Sequence, residues 1–231
     1  MGLYKNIAYF ILTYGVLSMV LFLYSGSFLF IMMVWNVILA SLPLVFMKQG
    51  MKAERTWKRG VLFLLWFFFF PNAIYMITDF IHLTNDQMIW SIPVEPYSGL
   101  DGTRYSMEIM QWAKLLLIAL GAFYALGIGM ESLYRFHDYL RRRKGNMISF
   151  AAVALISLAS SFGVFVGRFL RFNSWDIMRP VRLVKGILDS VTGFAFWFTM
   201  IYGLFVIFSF LLFRWFRTGR ADSDSLFSEN I

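Results

Sequence analysis

The chain has 231 residues, 59% of them hydrophobic and 20% aromatic, with only 15% charged and a formal net charge of +8. A soluble domain is about 45–50% apolar and about 25% charged, so this composition excludes a water-soluble globule, and it is too apolar for a disordered chain. A pI near 9.8 would ordinarily point to nucleic acid, but the basic residues lie between long apolar runs, so no nucleic-acid partner is expected and the class is an integral membrane protein.

A bilayer core of about 30 Å takes roughly 20 apolar helical residues. Six segments qualify, at 7–23, 28–47, 61–83, 109–130, 147–167 and 191–213. The first follows Lys5 and precedes Ser25, Gly26 and Ser27. Its apolar run exceeds the roughly 7–15 residues of a signal peptide and no A-x-A site follows, so it is expected to be a retained span. Between spans two and three lie Lys48, Lys52, Arg55, Lys58 and Arg59.

Span three carries a polar stripe of Pro71, Asn72, Tyr75, Asp79 and His82. Counted from Asn72, offsets of 3, 7 and 10 place these side chains on one helical face, and Asp86 extends the stripe if the helix runs on. Pro71 removes a backbone donor, and the freed carbonyls need partners inside the bundle. At 1.5 Å per residue, Asn72 is about 16 Å from the start of the span, Asp79 about 27 Å and His82 about 31 Å. The acid and imidazole therefore belong near the outer boundary. The bulky run Trp66–Phe70 reads as lipid contact, or as a surface for another membrane protein. The following loop, 84–108, holds the breakers Pro93, Pro96, Gly99 and Gly102.

Gly121, Gly127 and Gly129 in span four suit close helix packing. After it come Arg135, Arg141, Arg142, Arg143 and Lys144, with His137 expected to be a solvated residue of that basic loop. Span five places Ser157, Ser160, Ser161, Arg168 and Arg171 on one face, and Gly163 with Gly167 forms a small-xxx-small pair. Arg168 lies about 31 Å along it, a depth that matches His82 on span three. From 175 to 189, Ile177, Val181, Val184, Ile187 and Leu188 face one way and Arg179, Arg182 and Lys185 the other. That is the signature of an interfacial amphipathic helix, with Ser174 as its N-cap; the plainer reading is a surface helix that only anchors to anionic lipid. Span six is followed by Arg214, Arg217 and Arg220, then by a polar, acidic tail at 221–231.

Lys and Arg in short loops stay in the cytoplasm. Fourteen of the 21 basic residues then fall on one side, together with both termini. Trp57, Trp90, Trp175 and Trp215 lie near span ends and read as interfacial anchors. The expected fold is an all-α membrane protein: one integral domain over residues 1–220, a six-transmembrane-helix bundle with the interfacial helix between spans five and six.

The run Pro71-Asn72-Ala73-Ile74-Tyr75, continuing through Thr78-Asp79 to His82-Leu83, and the run Gly167-Arg168, Arg171 and Asn173-Ser174-Trp175-Asp176 together resemble the two motifs of a prokaryotic membrane protein family catalogued as domain of unknown function 1361. The resemblance covers most of the chain, from the second span to the sixth, with the motifs in their expected order. Ile74 departs from it, standing where the family pattern often has a second proline. The resemblance implies a multi-pass protein of a bacterial cell membrane and carries over no reaction, substrate or cofactor.

For function, Asp79 and His82 are the candidate catalytic pair. A histidine can exchange a proton near neutral pH, and a neighbouring carboxylate holds its tautomer. Arg168 and Arg171 can clamp a phosphate or carboxylate, and Asn72, Tyr75, Asn173, Trp175 and Asp176 complete the candidate substrate-binding set. The expected role is recognition or processing of an anionic lipid or envelope precursor at the outer face. The plainer alternative is a structural ion-pair network at the rim of the bundle. Two further readings stand beside it: a partner subunit or assembly factor of another membrane protein, and a lipid or small-molecule transporter. The absence of a midplane acid or base disfavours proton coupling.

No cofactor and no metal are expected. Cysteine is absent and His82 and His137 are the only histidines, which leaves too few ligands for a multi-histidine site. Asp79, His82, Asp86 and Asp176 offer mixed ligands, but nearby arginines repel a cation. No P-loop, H-E-x-x-H or G-x-S-x-G run occurs.

Overall fold

In the computed structural model, residues 2–95, 97, 99, 101–170 and 192–228 are described, with 219–228 described as backbone alone. Arg171, Asn173, Trp175, Asp176 and the expected interfacial helix at 175–189 lie outside the described residues.

The elements run α1 (Gly2–Ser25), α2 (Leu29–Lys52), α3 (Thr56–Tyr75), a 3-10 segment (Met76–Leu83), β1 (Ile89–Ser91), β2 (Thr103–Tyr105), α4 (Ile109–Lys144), α5 (Asn146–Phe169) and α6 (Gly193–Ser228). Six of the helices are long and apolar enough to cross a membrane. Their outward faces carry large apolar side chains such as Leu12, Val20, Leu64, Leu155, Ile201 and Phe208. In water such surface would drive aggregation; against acyl chains it needs no cover, because a helix satisfies most of its backbone hydrogen bonds within its own segment.

The chain divides into two compact units. The first comprises Met1–Ile38 and Met76–Tyr124, the second Leu39–Tyr75 and Ala125–Ile231. In the first unit α1 docks on α4 through two contacts. Phe10 and Tyr124 stack with ring centroids 3.7 Å apart, and the buried Tyr14 hydroxyl donates to the Leu117 carbonyl at 3.2 Å. Gly121 makes the second contact possible, since a Cβ there would come within 2.6 Å of the Tyr14 hydroxyl. The loop after the 3-10 segment is a small antiparallel hairpin that pairs Trp90 with Arg104. Gly102 closes it at φ +73, and a Cβ at that position would meet the Ile92 carbonyl oxygen at 2.6 Å.

In the second unit the core consists of Met47, Trp66, Phe70, Ile74, Met130, Leu133, Val153, Ile156, Val164, Val206 and Phe210. Trp66 and Phe70 are therefore core residues rather than lipid-facing ones. The Trp66 indole N–H donates to the Ser132 hydroxyl at 3.1 Å, while Phe68 of the same run is exposed. Spans three and five do pack together here: a Cβ on Gly163 would lie 3.0 Å from Pro71 Cγ, so the glycine sets how closely α5 approaches α3.

Two expectations are corrected by α4. The helix runs to Lys144, well beyond residue 130, so Arg141–Lys144 form its last turn, where cations complement the helix dipole. Ion pairs at helical spacing brace the extension, Arg135 with Glu131 and Arg142 with Asp138, both i, i+4. His137 is consequently not a solvated loop residue. It is 1% exposed, packed against Phe150, with ring centroids 4.7 Å apart. Likewise α6 continues as helix to Ser228, past the point where the polar tail begins.

Candidate functional site

The polar stripe of span three does not ride on one continuous α-helix. The α-helix ends at Tyr75 and a 3-10 segment takes over from Met76 to Leu83. Residues three apart eclipse one another in a 3-10 helix, so Met76, Asp79 and His82 form one row. Eight residues is long for this conformation, which usually lasts three or four and often marks a strained or functional stretch. The segment stops before Asp86, which sits in the turn that follows; the stripe is not extended to Asp86 by helix.

Asp79 and His82 belong to the first unit, Asn72 and Tyr75 to the second. In the first unit Asp79 is 1% exposed. Its Oδ2 accepts a hydrogen bond from Asn36 Nδ2 on α2 at 3.1 Å. Its Oδ1 lies 3.9 Å from His82 Nε2. That separation is too long for a hydrogen bond and short enough for a direct electrostatic contact. The carboxylate is almost wholly enclosed, whereas 36% of the His82 side chain is exposed. The arrangement thus sets an enclosed carboxylate beside an imidazole that reaches the molecular surface.

Lys114, one turn into α4, fastens the end of the same segment. Its ammonium donates to the His82 carbonyl at 2.7 Å and to Asp86 Oδ2 at 2.9 Å. The sequence signal for Lys114 was present, since it is the lone charge in the apolar run from 109 to 130. For Asn36 there was only a deep polar residue on span two, and nothing local tied it to Asp79.

In the second unit Asn72 Nδ2 donates to the Phe69 carbonyl of its own helix at 3.1 Å, and the Tyr202 hydroxyl donates to the Ile74 carbonyl at 2.6 Å. The carbonyl that Pro71 deprives of its i−4 donor is that of Phe67, and neither of these two bonds reaches it. The Arg168 guanidinium lies over the Tyr75 ring, 4.3 Å from its centroid, a cation–π contact worth about 0.5–2 kcal/mol. Arg168 and Tyr75 are therefore brought together, each from one of the two sequence motifs. Among the described residues, no group of three or more His, Asp or Glu side chains is placed to hold a metal ion.

No curated protein and no solved structure matches the chain. The family model described as "Protein of unknown function (DUF1361)" matches residues 35–209, a stretch that contains Asn36, Asp79, His82, Lys114 and Arg168, and the chain belongs to that family.

Proposed function

We propose that the Asp79–His82 pair of this multi-pass membrane protein recognises or processes an anionic lipid or envelope precursor. The observation that carries this reading is the enclosed Asp79 carboxylate, held by Asn36 and set 3.9 Å from the partly exposed His82 ring. A carboxylate beside an imidazole is a pairing that general acid–base chemistry uses. His82 then takes a proton from a substrate hydroxyl or water, or gives one to a departing oxygen. Asn36 keeps the carboxylate in register, and Lys114 keeps the end of the 3-10 segment in place. Arg168, a planar guanidinium suited to phosphate or carboxylate, is assigned to binding on the second unit.

We further place the protein in a bacterial cell membrane with both termini cytoplasmic, which sets the Asp79–His82 end at the outer leaflet. This rests on the uneven distribution of Lys and Arg between the loops. A cysteine introduced at Ser98 is expected to react with an impermeant reagent added outside the cell; reaction from the cytoplasmic side alone would reverse the orientation.

The functional test replaces the chromosomal gene with His82→Ala, Asp79→Asn or Arg168→Ala. Envelope lipid and cell-wall composition, and growth under envelope stress, are then measured. Each variant is expected to shift composition while the protein stays at its normal level. Unchanged composition and growth in all three would refute the proposal.

A further inference from the structure

The basic end of the second unit carries an arrangement that the Asp79–His82 site does not use. On α6 the sequence Arg214-Trp215-Phe216-Arg217 splits cleanly by direction. Trp215 and Phe216 are exposed, at 67% and 64%. Arg214 and Arg217 turn the other way, onto aromatic rings of neighbouring helices. The Arg214 guanidinium lies 5.0 Å from the Phe150 centroid, and that of Arg217 lies 4.7 Å from the Tyr134 centroid. His137, buried, packs against both of those rings from α4, and neither of its nitrogens has a hydrogen-bond partner among the described residues. The two arginines are thus backed by one aromatic layer that includes a buried imidazole.

Among the described side chains, basic groups outnumber acidic ones here. Arg135 and Arg217 both pair with the single carboxylate of Glu131. Asp138 is shared by Arg141 and Arg142. Arg143 lies over Tyr139, and no acidic residue follows before the end of α4. Among the described side chains, the carboxylates of Glu131 and Asp138 thus share this end with seven basic side chains, Arg214 and Lys144 included.

We propose that the Arg214 and Arg217 end of α6, with Arg135 of α4, binds the phosphodiester headgroup of an anionic phospholipid. A guanidinium whose face is covered by a ring keeps its N–H edge for an oxyanion, so the ring contacts pre-orient two donors at i, i+3 on one helix. The occupant is a lipid rather than a soluble anion because of what lies next to the cluster. The outward face of α6 is apolar up to this point, with Phe208, Leu212 and Trp215 all exposed, and exposed Trp at the end of an apolar face marks headgroup level. A clamp at that height meets phosphates already held in the leaflet, and juxtamembrane arginines draw anionic lipid.

The test uses the full-length protein reconstituted in phosphatidylcholine vesicles, with spin-labelled phosphatidylglycerol or spin-labelled phosphatidylcholine as probe. The wild-type protein is expected to associate preferentially with the phosphatidylglycerol probe. Each arginine removed in Arg214→Gln and Arg217→Gln is expected to lower that preference about fivefold. The charge-conserving pair R214K/R217K should keep only part of it, since lysine lacks the planar fork. Glu131→Gln, which releases two guanidiniums from their shared carboxylate, is expected to raise the preference, and it gives a readout that does not depend on the arginine variants folding. An equal association of both probes with the wild-type protein, or a preference unchanged by both the arginine and the Glu131 substitutions, would overturn the proposal.

Discussion

Asn36 on α2 and Asp79 on the 3-10 segment, 43 positions apart, meet through a 3.1 Å hydrogen bond to a carboxylate that is almost fully enclosed. A buried charge tolerates the interior only when it is hydrogen-bonded, and this amide is one of the groups that make Asp79 acceptable where it is. Asn36→Ala is expected to lower stability by about 1.5–3 kcal/mol, the range for hydrogen bonds to charged groups. Thermal unfolding in mild detergent measures it. In a double-mutant cycle with Asp79→Asn the effects should be non-additive; strict additivity would mean the bond contributes nothing of its own.

Tyr202 has a comparable role in the second unit. Its hydroxyl reaches the Ile74 carbonyl at 2.6 Å, just before α3 tightens into 3-10 geometry. Ile74 is fully buried, so Tyr202→Phe takes a donor from an enclosed acceptor, at a cost of about 1–3 kcal/mol. Tyr105→Phe, at an exposed hairpin position, serves as the comparison and is expected to change stability by less than about 0.5 kcal/mol.

The glycines of α4 divide by what surrounds them. A methyl group on Gly121 would lie 2.6 Å from the Tyr14 hydroxyl and 2.8 Å from Met76 Cε, whereas one on Gly127 meets nothing within 4 Å. Gly121→Ala is therefore expected to displace Tyr14 from Leu117 and cost about 1–3 kcal/mol. Gly127→Ala should be neutral, or stabilising by up to about 1 kcal/mol through helix propensity. Parallel melting curves of the two variants decide the matter.

His137 is buried without a hydrogen-bond partner among the described residues. A polar group in that state is a cost, and an apolar replacement of similar size removes it. His137→Leu is expected to leave the melting temperature unchanged or to raise it. A fall equivalent to about 3 kcal/mol, the scale of breaking a buried network, would show that the imidazole holds a bond that stabilises the fold.

The six spans were legible because a bilayer imposes a length and an apolar composition that local sequence reports directly. The stripe from Asn72 to His82 was legible for the same kind of reason, as spacing within one segment. What the sequence concealed was which distant residue meets each member of the stripe. Asn36 meets Asp79, Lys114 meets His82 and Arg168 meets Tyr75, each from another helix, and pairings across helices leave no local period to read. The change from α to 3-10 geometry after Tyr75 was hidden as well, because an apolar run is compatible with either. By contrast, the extension of α4 to Lys144 was written in the chain. Glu131 with Arg135, and Asp138 with Arg142, have i, i+4 spacing, and that pattern outweighs the loop reading of a basic stretch. Burial of His137 follows from that extension.

Mass spectrometry of the protein purified in gentle detergent tests most directly whether the Asp79–His82 pair binds an anionic lipid or envelope precursor. With the arginine clamp of α6 removed in R214Q/R217Q, the protein is expected to carry a recurrent anionic lipid or lipid-linked molecule, and the further change His82→Ala to lose it while keeping the melting temperature. Retention of the same molecule after that further change, or a stoichiometric protein partner in place of any such molecule, would contradict the account.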